Sequence, residues 1–307
     1  MGELQARFGV HDHPCPIDAF GARIIGQRPF QLKMETRQSF GGYRRTGMFL
    51  GHRKQQCRNA GTDRGTVMSD VDNKELDRML QQAFAASTKI YQERGFQRRV
   101  GFGKRPALVS VDLANAWTRP GNPFTCDQDA MDNEIIPGMQ RLLKACRAHG
   151  HPVIHVTTAY EITDRNAGFT DMGLWHCKIP IDVVNLKDKE LWAIDSRIAP
   201  IEGEYTLLKK RASSFHGTGL AGLLRAAGVD TILVTGVTAT ACVRTTICDG
   251  LADGFRTIAV RECIGDRVPG AVAWNLYDID AKFADVHSVD ECVEYLNTVN
   301  AARIAAE

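Results

Sequence analysis

Three side chains with complementary chemistry stand at the ends of predicted strands: Asp112, Lys209 and Cys242. In an open parallel sheet the carboxyl ends of the strands meet at one edge, where ligands bind. We therefore expect these side chains to lie close together. A cysteine nucleophile needs a base for its proton, and a carboxylate can be that base. A buried lysine keeps the carboxylate ionised and favours the thiolate, so the three residues together predict cysteine-dependent covalent catalysis.

Each of these residues also has an ordinary structural explanation. Cys242 follows an apolar run over residues 231–234 and a break at Gly236, which places it where a strand gives way to a helix. Helix N-terminal N–H groups stabilise a thiolate and can receive an oxyanion, but free cysteines are commonly small buried hydrophobes. An aspartate after a strand is commonly a helix cap, and a lysine at a strand edge is commonly solvated. Position alone leaves both interpretations open.

The elements that must position these residues alternate between strands and helices along the chain. We predict strands over residues 107–111, 152–156, 205–209, 231–234 and 256–260, with a last short strand at Val286. Helical patterns separate them and also follow the last strand. Such alternation predicts an α/β fold of three αβα layers, with a mostly parallel sheet and helices on both faces. Because no internal repeat is visible, residues 68–307 are predicted to form a single α/β domain.

Residues 1–67 show no sustained apolar periodicity. They contain 11 Lys and Arg against 5 Asp and Glu, a net charge of +6. We predict a poorly ordered basic extension, with a nucleic-acid- or membrane-binding arm as the alternative. From about residue 70 to residue 93, apolar residues recur on one helical face: Leu76, Met79, Leu80, Phe84 and Ala85. This amphipathic helix is expected to pack on the main domain or on a neighbouring subunit.

The composition of the whole chain narrows the class of protein. The 307 residues are 44% apolar and carry a net charge of +2, which predicts a folded domain without an extended nucleic-acid surface. Nine cysteines without CxxC spacing argue against a disulfide framework and against structural zinc. No apolar run reaches the roughly 18 residues of a membrane span, and the first residues lack a signal-peptide pattern. We expect a cytoplasmic protein without membrane or nucleic-acid partners.

Three sequence blocks around these residues resemble the isochorismatase-like superfamily of cysteine hydrolases. The blocks are ALVSVDL over 107–113 with NAW at 115–117, LKKRASSF over 208–215, and TGVTATACVR over 235–244. They occur in the family's order, and the similarity extends from about Gly101 to the C-terminus. The resemblance implies a catalytic triad in which Cys242 is the nucleophile, Asp112 is the acid and base, and Lys209 is the third member. Lys209 matches the family position, and Lys210 should point the other way from the strand.

The resemblance further implies how the substrate is held. Family members have a cis peptide bond before the nucleophile turn, which here falls between Val237 and Thr238. That bond would aim the N–H groups of Thr238 and Cys242 at the substrate oxygen, forming an oxyanion site. Arg267 matches a residue that binds the substrate carboxylate, a task that suits a bidentate guanidinium group. Without the resemblance, a surface ion pair explains Arg267 equally well.

The expected site has two aromatic residues in its wall and no metal ligands. Trp117 and Phe215 are expected to line the pocket, although either could be plain core. Metal-binding members of the superfamily carry Asp and His residues after the first triad strand, whereas residues 118–126 contain no histidine. We therefore predict no metal and no other cofactor. The histidines that follow are expected to be structural or exposed: His149, His151 and His155.

The segment over residues 265–283 points to one branch of the superfamily. Its GDRVPG, WNLYDID and KF motifs resemble those of N-carbamoylsarcosine amidohydrolases, and maleamate amidohydrolases have a similar tail. The resemblance implies a small carboxylate-bearing amide or ureido substrate. The first candidate is N-carbamoylsarcosine, hydrolysed to sarcosine, carbon dioxide and ammonia through a cysteine-linked intermediate. Maleamate is the alternative, and a non-catalytic binder with the same pocket is a third. The family also implies a homo-oligomer, often a tetramer.

Overall fold

The computed structural model describes residues 73–161, 171–268 and 270–304. The extension predicted over residues 1–67 lies outside these ranges. The strands are β1 (Pro106–Val111), β2 (Val153–Thr158), β3 (Tyr205–Lys209), β4 (Thr231–Val237), β5 (Arg256–Gly265) and β6 (Asp285–His287). The longer helices are α1 (Asn73–Glu93), α2 (Ile136–His149), α3 (Leu220–Ala226), α4 (Arg244–Ala252), α5 (Ala271–Lys282) and α6 (Val289–Ile304). Short helical segments cover Asn115–Thr118, Gln128–Ala130, Met131–Ile135, Gly173–Cys177, Ile181–Val183, Lys189–Trp192, Ser196–Ile198 and Ala239–Val243.

The strands form one parallel sheet in the order β3-β2-β1-β4-β5-β6. β1 and β4 are the two central strands, and every residue of both is buried. The chain runs outward from β1 through β2 to β3, then returns to the other side of β1 with β4. Strand order therefore reverses between β1 and β4, and the crevice at such a point lies outside the carboxyl ends of the strands. The residues that follow β1 and β4 are thus placed at the ligand-binding edge.

Helices cover both faces of the sheet, as buried parallel strands require. On one face α2 and α6 pack through an apolar cluster that includes Leu142 and Leu296. On the other face α3, α4 and α5 pack through a second cluster, to which they contribute Leu220, Ile247 and Ile279. The predicted three-layer αβα fold is confirmed.

Gly236 allows β4 to approach the end of β1 closely. Its φ is +109°, and a Cβ atom there would lie 1.9 Å from the carbonyl oxygen of Val111. Only glycine avoids both the clash and the strained φ. The glycine thus permits the chain to pass β1 closely just before the segment that carries Cys242.

β5 is longer than the sequence pattern predicts. The expected strand ended at residue 260 because Arg261 and Glu262 interrupt the apolar run, but β5 continues to Gly265. A bulge shifts the pairing between β4 and β5, after which Val237 pairs with Gly265. The extension brings the residues that follow β5 level with the turn that follows β4.

α1 packs on α5 and on the end of the loop before it. Phe84 is buried and stacks on Tyr277 with ring centroids 4.4 Å apart. A Cβ atom at Gly270 would lie 3.0 Å from Leu80 Cδ1 and 3.2 Å from Leu76 Cδ2, so both leucines pack closely on this loop. Neither α1 nor any other helix in the described ranges is long and apolar enough to cross a membrane.

Candidate active site

The structure brings Asp112, Lys209 and Cys242 into direct contact. Lys209 Nζ lies 2.9 Å from Asp112 Oδ2 and donates a hydrogen bond to Cys242 Sγ at 3.3 Å. Asp112 and Lys209 are fully buried, and Cys242 is 7% exposed. The arrangement places a thiol, a carboxylate and an ammonium group in one water-poor cluster, which we call the Asp–Lys–Cys cluster.

The length of the lysine side chain makes this contact possible. Lys209 ends β3, which is separated from β1 by β2. Neighbouring strands lie about 4.8 Å apart, so β3 and β1 are separated by roughly 10 Å. A short side chain from β3 would not reach Asp112, which directly follows β1. Lysine at the end of β3 therefore supplies a cation to the centre of the sheet edge.

Lys210 points away from this cluster, in keeping with the alternation of side chains along a strand. Its Nζ forms an ion pair with Asp171 at 2.8 Å and donates to the carbonyl oxygen of Ala159. Its side chain is 31% exposed, whereas that of Lys209 is fully buried. The two adjacent lysines differ in burial and in partner, so Lys210 is a natural control for Lys209.

Thr158 is a site residue that the sequence pattern did not single out. It ends β2, between β1 and β3, and its Oγ1 donates to Asp112 Oδ1 at 2.9 Å. Asp112 has a φ of +51°, a conformation that aspartate and asparagine adopt more readily than most residues. With Lys209 beside Oδ2 and Thr158 on Oδ1, the carboxylate is held at both oxygens. A hydroxyl residue at the carboxyl end of the neighbouring strand was the signal available in the sequence.

Burial and charge set the protonation of the Asp–Lys–Cys cluster. Burial raises the pKa of the Cys242 thiol to about 12, against the opposing effect of the Lys209 ammonium group. Burial also disfavours the charge of Lys209, but the Asp112 carboxylate and Cys242 outweigh it and raise the pKa of Lys209 above its ordinary value. The free protein therefore holds a neutral thiol and a charged ammonium group at neutral pH. For the sulfur of Cys242 to act as a nucleophile, a base must remove the thiol proton.

The turn that carries Cys242 begins with a cis peptide bond between Val237 and Thr238. This is the bond to which the family resemblance points. The Thr238 carbonyl oxygen accepts hydrogen bonds from the N–H groups of Ala241 and Val243, both at 3.1 Å. The turn leads directly into α4. Cys242 thus lies near the amino end of helical backbone, where the positive end of the dipole favours negative charge.

Arg267 lies on the loop that follows β5, and it is exposed. Its Nη2 donates to the carbonyl oxygen of Phe124 at 3.2 Å. Within the part of the chain that the structure describes, its guanidinium group forms no ion pair with a carboxylate. The group therefore retains donors for an anionic ligand.

Trp117 and Phe215 lie in the two apolar clusters on opposite faces of the sheet. Trp117 is 4% exposed and packs on Phe124, with ring centroids 5.1 Å apart, and Phe124 in turn contacts Arg267. Phe215 packs beside Phe255 in the second apolar cluster, which also contains Cys242. Each aromatic residue is therefore core, and its contact with a substrate stays a prediction.

Asp195 ties the irregular segment over residues 171–204, just before β3, to the backbone that follows β1. Its N–H donates to the carbonyl oxygen of Leu113 at 3.0 Å. Its buried carboxylate accepts hydrogen bonds from Thr118, Arg119 and Arg197. Burial disfavours the charge, but the hydrogen bonds from Arg197 and Thr118 outweigh it and lower the pKa of Asp195 to about 2. This ionised carboxylate holds the segment beside the residues that follow Asp112.

Comparison with known protein families identifies the family of this chain. A family model described as the isochorismatase domain matches residues 106–291, more than half of the chain. The chain belongs to the isochorismatase family. The resemblance inferred from the three sequence blocks is thereby confirmed. The matched region contains all the candidate site residues, from Asp112 to Arg267.

Individual relatives within and around the isochorismatase family refine the comparison. The chain is 50% identical over 239 residues to N-carbamoylsarcosine amidase from an Arthrobacter species, covering 78% of this chain and 88% of that protein. It is 36% identical over 199 residues to maleamate amidohydrolase from Pseudomonas putida, covering 65% of this chain and 90% of that protein. A solved cysteine hydrolase from Pseudomonas syringae pv. phaseolicola matches with a TM-score of 0.56 at 24% identity, covering 64% of this chain and 93% of that one. This last likeness concerns the fold alone.

Three histidines, at the end of α2, just after it and in β2, each contact a polar group. His155 is buried and its Nε2 lies 3.1 Å from a carboxylate oxygen of Glu204. His149 Nε2 lies 2.8 Å from Asn297 Oδ1, and His151 Nε2 lies 3.3 Å from a backbone carbonyl oxygen of α6. Among the described residues, no group of three or more His, Cys, Asp or Glu side chains is arranged to hold a metal ion.

Proposed function

We propose that this chain is a cysteine amidohydrolase that releases ammonia from a terminal carbamoyl or amide group of a small carboxylate. The observation that carries the proposal is the buried contact of Lys209 with both Asp112 and Cys242. A thiol, a base and a fixed cation in a water-poor cluster suit attack on a carbonyl carbon better than plain binding. The 50% identity to an N-carbamoylsarcosine amidase supports N-carbamoylsarcosine as the first candidate substrate.

The first half of the reaction forms a bond between Cys242 Sγ and the carbonyl carbon. Asp112 takes the thiol proton during the attack, because a pKa of about 12 leaves little thiolate beforehand. The carbonyl π electrons move onto oxygen and give a tetrahedral intermediate. When this intermediate collapses, the C–N bond breaks and the leaving nitrogen takes the proton from Asp112. Ammonia departs, and the acyl or carbamoyl group stays on sulfur.

Lys209 serves this reaction as a fixed positive charge. Its raised pKa keeps it protonated throughout, so it does not exchange protons with the substrate. Its Nζ contacts both the carboxylate and the sulfur, and it stabilises negative charge on either. The ammonium group therefore allows the proton to move from Cys242 to Asp112 without creating an uncompensated buried charge.

The second half of the reaction releases the acyl group to water. Asp112 takes a proton from the attacking water, the C–S bond breaks, and the proton returns to the Cys242 sulfur. From N-carbamoylsarcosine the immediate product is an N-carboxy amine, which loses carbon dioxide to give sarcosine. From maleamate the product is maleate.

The oxyanion of both tetrahedral intermediates is assigned to the N–H groups of Thr238 and Cys242. The assignment is supported by the position of Cys242 in the short helical segment Ala239–Val243, which continues directly into α4. A donor of this kind commonly contributes about 3–4 kcal/mol to the stability of the transition state.

The two candidate substrates share one chemical plan. In N-carbamoylsarcosine and in maleamate, a terminal amide carbonyl carbon is joined to a carboxylate through two intervening atoms. Arg267 is proposed to bind that carboxylate, since its guanidinium group is exposed and has donors to spare. Maleamate is retained as the second candidate because of the 36% identity to a maleamate amidohydrolase.

A homo-oligomer, most simply a tetramer, is proposed as the assembled form in the cytoplasm. Apolar side chains at or near α1 and α5 are more than half exposed or close to it: Met79 at 56%, Val268 at 58% and Trp274 at 50%. Burial of such a surface between subunits stabilises an assembly. The buried cysteines in the described ranges form no disulfide with one another, in keeping with a reducing compartment: Cys126, Cys146, Cys242, Cys263 and Cys292. Analytical ultracentrifugation measures the assembly, and a stable monomer would overturn this part of the proposal.

An ammonia-release screen tests the reaction. We expect the wild-type protein to release ammonia from N-carbamoylsarcosine, with slower or no release from maleamate, other carbamoyl amino acids and nicotinamide. Cys242→Ala should abolish release while keeping the fold and substrate binding, measured by calorimetry. Cys248→Ala, on α4 and half-buried, is the matched cysteine control. Near wild-type turnover in Cys242→Ala would rule out the mechanism, and binding without any turnover by the wild type would identify a non-catalytic binder.

Arg267→Ala tests how the substrate carboxylate is bound. We expect a much larger rise in KM for anionic amides than for neutral amides, because only the former lose an ionic partner. Equal effects on both substrate classes would remove Arg267 from the substrate site.

A further inference from the structure

Asp266 is a buried carboxylate that the proposed mechanism leaves without a role. It follows Gly265, the last residue of β5, and it is 4% exposed. Because Gly265 pairs with Val237 at the end of β4, Asp266 lies beside the turn that carries Cys242. Its own main chain continues directly into Arg267. Asp266 therefore stands between the proposed nucleophile and the proposed carboxylate-binding group.

The Asp266 carboxylate bridges two segments through hydrogen bonds. Oδ2 accepts from the N–H of Thr240 at 3.0 Å and from Thr240 Oγ1 at 2.8 Å. Oδ1 accepts from the N–H of Arg267 at 2.8 Å. Thr240 lies in the nucleophile turn, two residues before Cys242. The carboxylate thus joins the nucleophile turn to the loop that carries Arg267, here called the arginine loop.

The negative charge of Asp266 does not by itself explain why a carboxylate occupies this position. A buried negative charge is unfavourable unless donors compensate it, and here two main-chain N–H groups and a hydroxyl do so. A carboxylate beside an anion-binding arginine also weakens the attraction for a substrate carboxylate. What a carboxylate supplies is two acceptor oxygens in one rigid plane, which hold Thr240 and Arg267 at the same time.

We propose that Asp266 is a positioning residue that fixes the distance between the Arg267 guanidinium group and the Cys242 sulfur. The inference rests on the proposed function, in which Arg267 binds the substrate carboxylate. A fixed distance selects substrates by the number of atoms between the carboxylate and the reacting carbonyl carbon. That number is two in both candidate substrates. Asp266 thereby sets specificity for substrate length without touching the substrate.

Asp266→Asn tests the bridge with little change in volume. Asparagine has one acceptor oxygen and an NH2 group, so the N–H of either Thr240 or Arg267 then faces a donor. Thr240→Val removes the hydroxyl donor alone and serves if Asp266→Asn fails to fold, while Thr240→Ser restores the hydroxyl. Asp253→Asn is the matched control, because this partly exposed carboxylate follows α4 at the end remote from the site and pairs with Arg225.

A ladder of simple amides measures the effect. Malonamate, succinamate and glutaramate carry the same amide and carboxylate groups, separated by one, two and three atoms. The ratio of kcat/KM for succinamate to kcat/KM for glutaramate cancels changes in the folded fraction and in thiol ionisation. We expect the wild type to favour succinamate by at least roughly tenfold, since a displacement of about 1 Å can cost up to a hundredfold in rate. Asp266→Asn and Thr240→Val should bring that ratio close to one, as should Arg267→Ala.

The outcomes separate this inference from the proposed function. Asp253→Asn and the conservative Thr240→Ser should keep the wild-type ratio. If Asp266→Asn lowers turnover of all three amides equally, or lowers their KM equally through loss of negative charge, the positioning role is overturned while the proposed function stands. If the wild type hydrolyses none of the three amides nor N-carbamoylsarcosine, the proposed function fails and this inference with it. A loss of length selectivity in Asp266→Asn and Thr240→Val alike supports the bridge.

Discussion

Replacing Lys209 with methionine tests whether one buried ammonium group holds the Asp–Lys–Cys cluster together. Methionine keeps most of the length and volume of lysine and removes the charge. Asp112, which is fully buried, would lose an ion partner at 2.9 Å and keep the hydrogen bond from Thr158. Removing one partner of a buried ion pair typically costs about 3–5 kcal/mol, because the remaining charge is uncompensated. We expect a loss of that size in the free energy of unfolding near neutral pH.

The same variant should lose activity. Proton transfer from Cys242 to Asp112 leaves negative charge on sulfur, and without the ammonium group no cation of the Asp–Lys–Cys cluster compensates that charge. We expect turnover to fall by roughly 10²–10⁴-fold, the range typical of a lost proton-transfer step.

Urea unfolding near neutral pH, together with ammonia release, measures both effects. Lys210→Met is the matched control, since Lys210 is the adjacent residue and its ion pair is partly exposed. Exposed pairs contribute about 0–1 kcal/mol, so the control should lose little stability and little activity. Equal losses of stability and of activity in the two variants would refute the assignment of Lys209 as the buried cation of the site.

Three further predictions follow from the structure. Because burial raises the pKa of Cys242 to about 12, its alkylation by iodoacetamide in the free protein should accelerate about tenfold per pH unit from about pH 7 to about pH 10. A plateau near pH 8, seen by peptide mass spectrometry, would contradict this. Gly254 has a φ of +90° and no atom near a new Cβ, so Gly254→Ala should lower the free energy of unfolding by about 1–3 kcal/mol. Gly236→Ala should lower it clearly more, because its Cβ meets the Val111 carbonyl oxygen. Equal unfolding midpoints of the two variants would contradict the clash. Deleting residues 1–67 should leave ammonia release and the unfolding midpoint unchanged, and a loss of either would show that this segment supports the domain.

The α/β architecture could be predicted because its signals are local. Alternating apolar runs and helical patterns marked every strand of the sheet. The family resemblance selected Lys209, and the alternation of side chains along β3 predicted that Lys210 points the other way. The end of β5 was missed because Arg261 and Glu262 look like the end of a strand, whereas they lie at a bulge after which pairing resumes. A bulge depends on the partner strand and leaves little trace in one strand's own sequence.

The contacts of Thr158 and Asp266 were out of reach for a different reason. Both side chains act on residues of other strands or turns, and these contacts depend on strand order and register. The sequence places each polar residue at the end of a strand without indicating which strand is its neighbour. The course of residues 171–204 was equally unpredictable, because contacts such as those of the buried Asp195 with its arginine partners hold it instead of a periodic apolar pattern.

The position of β3 at the edge of the sheet affects how the protein loses activity as denaturant unfolds it. Asp112 and Cys242 follow β1 and β4, each of which has a paired strand on both sides, whereas β3 pairs with β2 alone in the described sheet. Native proteins open locally before they unfold globally, and edge elements open at a lower free-energy cost than central strands. Fraying of β3 would withdraw Lys209 and leave the carboxylate and the thiol in place. Activity should therefore be lost at a lower denaturant concentration than the one that unfolds the whole sheet. Turnover then reports on the local stability of one edge strand.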